Sequence, residues 1–326
     1  MLTAYILDQI TCKPCLITAA NQALLKTAIW IDMFQPTSEE EQWVETATQL
    51  NIPTREEMQE IEVSSRYYKE ADGTFMTVTM LINADSNEPK MDAVTFIITP
   101  KQFISLHYLE PQSFILFKSQ IGNLKPSEHA ARNIMVGLFE AIIDRMADIL
   151  EKVGAQLDSY SQAIFRQPAT KHKHKKPDFK KTMQDIGNNG DLSAKARESL
   201  MTFTRLITYF QLNEGDKLEQ DIVARLTTLN KDISSLNDHL NFLSSQVNFL
   251  LNATLGMISI DQNNIIRIFT IGAVFFLPPT LIASIYGMNF TYMPELHFKY
   301  AYPVVLFIMA LTTILPYSYF KRRKWL

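Results

Sequence analysis

The apolar positions of the C-terminal half recur with helical spacing. From Ile222 to Leu250 they alternate at intervals of four and three, which predicts a coiled-coil seam along one helix. Such a seam can pack on earlier helices of the same chain, on other copies of the chain, or on both. No proline follows until Pro278, so we expect one helix up to Tyr286, about 95 Å long at 1.5 Å per residue.

Two uncharged apolar runs follow the seam, Ile268–Pro294 and Ala301–Phe320. A helix needs about 20 such residues to cross about 30 Å of hydrocarbon. We therefore predict two transmembrane helices, at 265–286 and at 301–320.

Basic residues flank both predicted helices on one side. Arg267 precedes the first apolar run, and a basic tail at 321–326 follows the second, so both chain ends are expected in the cytoplasm by the positive-inside rule. The residues 287–300 between them then form a short external loop. This pattern, without a signal peptide, predicts a multi-pass protein of the cell inner membrane. The charged tail residues are Lys321, Arg322, Arg323 and Lys324.

The first part of the chain has a mixed α/β pattern. Residues 1–125 contain β-branched and aromatic runs that predict strands. Ser38–Glu41 and Thr54–Glu57 have capping-box spacing, which predicts a helix start at each. The clearest strand runs lie at 28–31, 75–80 and 93–98.

Residues 126–220 are predicted to form long antiparallel helices, one from about Ser127 to Phe165 and another from Asp191 to about Asn213. The basic run 171–176 predicts a solvated hairpin tip between them. A stalk helix follows at 221–264. The predicted fold class is an α/β cytosolic domain plus a long α-helical stalk and two C-terminal transmembrane helices.

Composition excludes some classes of function. The net charge is −3 and the mean hydropathy is −0.04, so no basic field favours a nucleic acid partner. The six histidines are scattered, and no nucleophile–base pair or phosphate loop indicates an enzyme. Cys12 and Cys15 have redox spacing without the helix start or the second ligand pair that redox or zinc chemistry needs. His172 and His174 have metal-ligand spacing without a further ligand nearby.

A second stripe runs along the first predicted span and is small or weakly polar. Small residues on one face permit close helix packing, and the same residues suit the lining of a pore. Two helices cannot enclose a water-filled path, so a pore requires several copies around one axis. Pro278 and Pro279 fall mid-span and should loosen the helix. The stripe consists of Asn263, Ile266, Thr270, Ala273, Leu277, Thr280, Ser284 and Gly287.

The end of this span carries a motif with a specific resemblance. Tyr286–Phe290 contains Gly-Met-Asn, and Tyr292–Leu296, Tyr302-Pro303 and the tail from Tyr319 follow it. Together with two spans and a basic tail, these residues resemble the CorA magnesium and cobalt transporter family in its enterobacterial-type branch. The likeness is dense from Asp261 onward and colinear but looser upstream.

The resemblance implies a funnel-shaped homopentamer in which the first span lines the pore. Asn289 would be the selectivity residue, Gly287 would permit the turn, and Met288 would help hold the loop. Ile266 and Leu277 would form the hydrophobic constriction, with Asn263, Thr280 and Ser284 facing the pore.

Two positions depart from the family pattern. Ser284 replaces a common glycine, and Asn252 stands where well-described members have an aspartate. The acidic residues that remain as candidate regulatory ligands are Asp232, Asp238 and Asp261.

The resemblance predicts potential-driven uptake of Mg²⁺, with Co²⁺ and Ni²⁺ as further substrates and gating by cytosolic Mg²⁺. No resident cofactor is expected; the partners are other copies of the chain, the bilayer and divalent ions. Glu295 would form an external acidic ring. Two alternatives remain open: the zinc-transporting branch of the family, which Met288 argues against, and a membrane-tethered coiled-coil scaffold without transport.

Overall fold

The computed structural model divides the chain into an N-terminal unit, Met1–Leu251, and a C-terminal unit, Asn252–Leu326. The fold class predicted from the sequence is confirmed, with an α/β sheet region, long helices and two apolar C-terminal helices. The predicted hairpin tip at 171–176, with His172 and His174, and Lys324 lie outside the described residues. The structure describes residues 1–7, 12–60, 62–86, 88–123, 129–165, 178–215, 218–289 and 291–323.

The N-terminal unit is built on a seven-stranded sheet in the order β2-β1-β3-β7-β6-β5-β4. Strands β3 and β7 pair in parallel at its centre, and the other neighbours are antiparallel. The strands are β1 (Leu2–Leu7), β2 (Cys12–Leu16), β3 (Trp30–Phe34), β4 (Tyr67–Glu70), β5 (Gly73–Ile82), β6 (Lys90–Ile98) and β7 (Phe103–His107).

Eight α-helices are described along the chain. Short 3₁₀ helices lie at Gln22–Lys26, Ile121–Asn123 and Pro294–His297. The α-helices are α1 (Ser38–Thr48), α2 (Arg55–Met58), α3 (Val63–Arg66), α4 (Gln112–Gln120), α5 (Ala130–Phe165), α6 (Phe179–Glu214), α7 (Gln220–Tyr286) and α8 (Ala301–Arg322).

Strands β3 and β7 are buried along nearly their whole length because both faces of the sheet are covered. On one face, Ile31 and Leu106 belong to a core that includes Val44 of α1. On the other face, the Phe96 ring of β6 lies 5.0 Å from the Phe139 ring of α5. The predicted strands at 75–80 and 93–98 are confirmed within β5 and β6, and the first predicted strand begins two residues later than expected.

Two predicted helix starts need correction. The cap of α1 is Thr37 rather than Ser38: its side chain accepts a hydrogen bond from the Glu40 amide, and the Glu40 carboxylate accepts one from the Thr37 amide. Helix α6 begins at Phe179, not Asp191, because Asp178 caps the amides of Lys180 and Lys181. The predicted box at Thr54 and Glu57 is confirmed.

The heptad seam of α7 is buried inside the single chain from Ile222 to Leu250, except Leu236, which is half-buried. A Cβ placed on Gly154 of α5 would lie 3.6 Å from Leu243, and one on Gly190 of α6 would lie 3.3 Å from Val247. These glycines allow α5 and α6 to approach α7 closely. The seam therefore packs on earlier helices of its own chain, which was one of the two uses expected for it.

Polar contacts fasten α7 to the same two helices. The Arg225 guanidinium donates to both carboxylate oxygens of Glu140 on α5, at 2.8 and 2.6 Å. Arg197 of α6 donates to the Asn241 amide oxygen at 2.8 Å. The two hydrogen bonds between Arg225 and Glu140 hold α7 and α5 together and also fix the register of one helix against the other.

A charged network is buried beside the parallel strand pair. The Asp32 carboxylate of β3 lies 2.7 Å from the Ser105 hydroxyl, 2.9 Å from His107 Nε2 and 2.7 Å from Lys118 Nζ. The Trp30 indole N–H donates to the same Ser105 hydroxyl. Burial by itself raises the pKa of Asp32, but the hydrogen bond and charge of His107 and the charge of Lys118 outweigh it and hold that pKa below its ordinary value. The network joins α4 to the sheet.

Cys12 and Cys15 lie in the edge strand β2, opposite Leu7 and Ala4 of β1. Three residues of a strand span about 10 Å, and odd separations point to opposite faces. A disulfide needs Cα atoms within about 7 Å of each other, so this pair cannot be bridged in the folded strand. Burial also raises the pKa of the Cys12 thiol. The structure therefore excludes a redox motif at these two positions.

We expect Asp32→Asn to lower the free energy of unfolding by about 3 kcal/mol, because it removes the buried carboxylate that pairs with His107 and leaves Lys118 with Glu110 as its only anion among the described residues. Denaturant titration of the full-length protein in detergent measures the effect. Since the Asp32 pKa is lowered on folding, its stabilisation is present above the unfolded value of about 3.9 and is lost below it. The difference between wild type and variant should shrink as the pH falls below about 4. Asp72→Asn, at an exposed turn, is the control and should leave stability unchanged.

A mild oxidant should leave Cys12 and Cys15 unlinked in the folded protein. Brief alkylation should label the half-buried Cys15 before the buried Cys12, and denaturation should make both react. Peptide mass spectrometry measures both outcomes. A bridge between the two residues in the native protein would contradict the assignment of β2.

Candidate functional site

The C-terminal unit contains two helices that are long and apolar enough to cross a membrane, α7 and α8. Helix α7 continues to Tyr286 through Pro278 and Pro279. The prolines remove the amide donors for the carbonyls four residues earlier. The Thr280 hydroxyl donates to the carbonyl oxygens of Phe276 and Leu277 at 2.6 and 3.0 Å. These are the two carbonyls that follow those of Val274 and Phe275, which the prolines leave without an amide donor.

One face of α7 packs on α8. Ile271 is 9% exposed, and the Phe275 ring lies 6.3 Å from the Tyr317 ring and 6.2 Å from the Phe320 ring of α8. The half-buried positions of α8 recur at helical spacing and define the matching face. These positions are Ala301, Val305, Met309, Thr312, Thr313, Pro316 and Phe320.

The predicted stripe lies on the other face of α7. All of its residues are exposed in the single chain, and Ile266 and Leu277 reach 61% and 65%. At 3.6 residues per turn, the stripe points away from the side that carries Ile271 and Phe275. The exposed stripe residues are Asn263, Ile266, Thr270, Ala273, Leu277, Thr280, Ser284 and Gly287.

The two threonines of the stripe have a hydrogen-bonding arrangement that the sequence did not reveal. Thr270 donates its hydroxyl proton to the Ile266 carbonyl at 2.8 Å, as Thr280 does to its own preceding turn. A hydroxyl has one proton and two lone pairs. Each threonine therefore presents acceptor lone pairs, and no spare donor, on the exposed face.

The Gly-Met-Asn segment follows directly after α7. The Gly287 amide donates to the Ala283 carbonyl at 2.9 Å, and the Met288 amide donates to the Ile285 carbonyl at 3.3 Å. A Cβ on Gly287 would lie 3.2 Å from the Ala283 oxygen, and no described glycine has a positive φ. Position 287 therefore favours glycine because it lies close to the last turn of α7, and not because its backbone is left-handed.

Asn289 is exposed beyond the end of α7. Within the part of the chain that the structure describes, its side-chain amide makes no protein hydrogen bond. The amide oxygen and its two N–H donors are therefore open to solvent or to a solvated ligand. Glu295 is also exposed, in the 3₁₀ helix Pro294–His297.

The described part of the basic tail and two of the three predicted regulatory acids are exposed. Lys321, Arg322 and Arg323 are exposed at the end of α8. Asp232 and Asp238 are exposed on α7. Among the described residues of the single chain, no group of three or more His, Cys, Asp or Glu side chains could hold a metal ion.

Negative charge is nonetheless concentrated near Asp232. Burial raises the pKa of Asp144 on α5, and the charges of Glu140, Asp148 and Asp232 raise it further. Asp261 is half-buried and lies further along α7, within the C-terminal unit. A single chain thus provides acidic side chains at these positions but no assembled ion site.

The architecture defines a membrane protein that carries a large α/β unit ahead of two C-terminal spans. A family model described as CorA-like Mg²⁺ transporter protein matches residues 26–322, and the chain belongs to this family.

Curated relatives match along nearly the whole chain. The magnesium transport protein CorA of Pasteurella multocida is 34% identical over 306 residues, which cover 94% of each protein. The protein of the same name from Escherichia coli K12 is 32% identical over 305 residues, 93% of each. The solved CorA magnesium transporter of Methanocaldococcus jannaschii covers 100% of this chain and 99% of its own, with a TM-score of 0.72 at 14% identity, which supports the fold.

Phe275→Ala should weaken the packing of α7 on α8. Two aromatic pairs are lost, each worth about 0.5–1.5 kcal/mol beyond the buried area. Thermal unfolding in detergent, monitored by circular dichroism, should show a lower midpoint for the C-terminal unit. Phe276→Ala removes a ring that is 74% exposed and should change the midpoint far less. Equal shifts for the two variants would contradict the α7–α8 contact.

Proposed function

We propose that this protein is a channel-like transporter that takes up divalent cations, chiefly Mg²⁺ and also Co²⁺ and Ni²⁺, driven by the membrane potential. The observation that carries the proposal is the uncharged stripe from Asn263 to Gly287, exposed on the face of α7 away from α8 and followed by Asn289. Membership of the CorA-like Mg²⁺ transporter family supports the same function.

The proposal requires several copies of the chain. Two helices cannot enclose a hydrated ion, and a stripe of hydroxyl and amide groups is a poor surface to leave against hydrocarbon. Assembly around an axis turns the stripe inward and converts one exposed face into a lining. The resemblance to the family gives the number as five.

The lining chemistry suits a hydrated cation. The water molecules bound to Mg²⁺ direct their hydrogens outward, and Mg²⁺ gives them up reluctantly. Thr270 and Thr280 offer acceptor lone pairs because their protons are already donated to the backbone. The Asn289 amide oxygens would accept hydrogen bonds from the hydrated ion at the mouth. No cysteine or histidine lies in the stripe, so a path for a soft, dehydrated metal is disfavoured.

Ile266 and Leu277 would form the gate. Each is a large apolar side chain that protrudes from an otherwise small or polar face. Rings of such residues can close a pore by excluding water, since a strongly hydrated ion does not enter a narrow apolar constriction that contains no water.

The membrane potential supplies the driving force in this proposal. A divalent ion gains about 4.6 kcal/mol per 100 mV when it moves inward, at about 2.3 kcal/mol per charge. Arg267 and the basic tail would keep both chain ends in the cytoplasm. This orientation in the inner membrane would place Asn289 and Glu295 on the outer side. A ring of Glu295 carboxylates would raise the local cation concentration at the mouth.

Cytosolic Mg²⁺ would close the channel by binding between protomers. Asp232, Asp238 and Asp261 lie along one helix and do not assemble a site within the single chain. Carboxylates from neighbouring copies would complete the oxygen ligands that Mg²⁺ requires.

Mg²⁺ flux into liposomes that contain the purified protein tests this function. Asn289→Ala should reduce flux about tenfold or more, since hydrogen bonds to charged species contribute about 1.5–3 kcal/mol. Asn264→Ala is the matched control, because it removes an exposed amide on α7 outside the stripe and should leave flux unchanged.

The other outcomes separate the alternatives. Equal flux through wild type and Asn289→Ala would overturn the role of Asn289. Transport of Zn²⁺ in preference to Mg²⁺ would identify the zinc-transporting branch. Absence of flux through the folded wild-type protein would favour a scaffold.

A further inference from the structure

A groove separates the end of α7 from the start of α8, at the opposite end of the two helices from Arg267 and the basic tail. Its volume is about 550 Å³, within the range of small-molecule pockets. The groove is open along one side, and its walls come from both helices and from the segment that precedes α8. Ala283, Tyr286, Val305 and Met309 are among the lining residues.

The lining is apolar apart from one charge. Among the described lining residues, Lys299 is the only ionisable group other than the two tyrosines, Tyr286 and Tyr302. Lys299 is exposed and forms no ion pair within the described part of the chain. Small side chains open the space, since Ala283 and Ala301 lie where larger residues would fill it.

Tyrosines flank this end of the spans. Tyr300 and Tyr302 are 60% and 75% exposed, and Tyr292 is 83% exposed. Amphipathic rings of this kind concentrate at the level of lipid headgroups. Lys299 is therefore at headgroup depth, with the apolar groove extending from it toward the hydrocarbon.

We infer that the groove is a phospholipid site, in which one acyl chain lies between α7 and α8 and the lipid phosphate pairs with the Lys299 ammonium. An apolar slot suits the chain, and a cation at its mouth complements the phosphate. This binding site goes beyond the proposed transport function: it shares Gly287 with the stripe, but the proposal rests on Lys299 and the apolar lining.

A divalent cation would not occupy this space. The groove offers no carboxylate, and Lys299 would repel a positive ion. A second copy of the chain is the competing occupant, because apolar helix faces also pack on one another in a bilayer. Lys299 argues for the lipid, since burying an ammonium in a helix–helix contact without an anion is costly.

Site-specific photocrosslinking in native membranes tests the inference. A benzophenone amino acid replaces Tyr302, which lines the groove, and intact-protein mass spectrometry reads the product after irradiation. We expect an adduct with the mass of a phospholipid. Lys299→Gln should reduce that adduct about fivefold, the factor for loss of one exposed ion pair at about 1 kcal/mol. Lys321→Gln, which removes a charge at the other end of α8, should not reduce it.

A second probe position separates a specific site from general contact with the bilayer. Phe307 is 67% exposed and does not line the groove, so a benzophenone there should give lipid adducts that Lys299→Gln leaves unchanged. This probe also shows that the Lys299 variant still inserts and folds. Ala301→Leu fills the groove without altering charge and should reduce the Tyr302 lipid adduct as well.

Two results would overturn the inference. A Tyr302 lipid adduct that persists unchanged in both Lys299→Gln and Ala301→Leu would indicate ordinary contact with the bilayer. A Tyr302 adduct with a second copy of the chain would assign the groove to subunit packing. Neither result bears on Mg²⁺ flux, so failure here is distinguishable from failure of the transport proposal.

Discussion

One register of α7, with positions spaced alternately by four and three, is the constraint on which the rest of the structure depends. In the N-terminal unit this register carries the seam that ends at Leu250 and is buried by α5 and α6. In the C-terminal unit the same spacing reaches Ile271, which is buried, and Phe275, whose ring lies beside Tyr317 of α8. Because one face of the helix is used in this way, the opposite face is left free. The stripe that ends beside the Gly-Met-Asn segment occupies that free face.

The continuity of α7 depends on how its backbone is satisfied in hydrocarbon. Two successive prolines would expose carbonyl groups where no water can reach them. The carbonyls affected are those of Val274 and Phe275, and α7 nonetheless continues to Tyr286. The Thr280 hydroxyl donates to the next two carbonyls, those of Phe276 and Leu277. These bonds use its one proton, so the side chain presents acceptor lone pairs on the stripe.

The N-terminal unit illustrates where inference from sequence stops. The capping box at Thr54, the strands within β5 and β6 and the extent of α7 follow from local patterns, because each depends on residues within one or two turns or on strand periodicity. The Asp32 network was missed, although a carboxylate inside the apolar strand Trp30–Phe34 was a signal that a partner was required. Its partners Ser105 and His107 lie more than 70 residues away, and no local spacing connects them. The start of α6 was placed too late because Gly187 and Gly190 break the helical pattern, yet the missing side chain at Gly190 allows contact with α7.

By itself the sequence determined the class of protein, the two apolar helices and the stripe with its Gly-Met-Asn end, because these depend on hydrophobic length and helical period. Only the tertiary structure decided which surfaces are covered. It placed the seam against the chain's own helices, put Cys12 and Cys15 on opposite faces of a strand, and opened a groove beside Lys299. The physical reason is that burial and pairing are properties of distant residues brought together. A chain's periodicity specifies that a face must be buried, and the fold specifies what buries it.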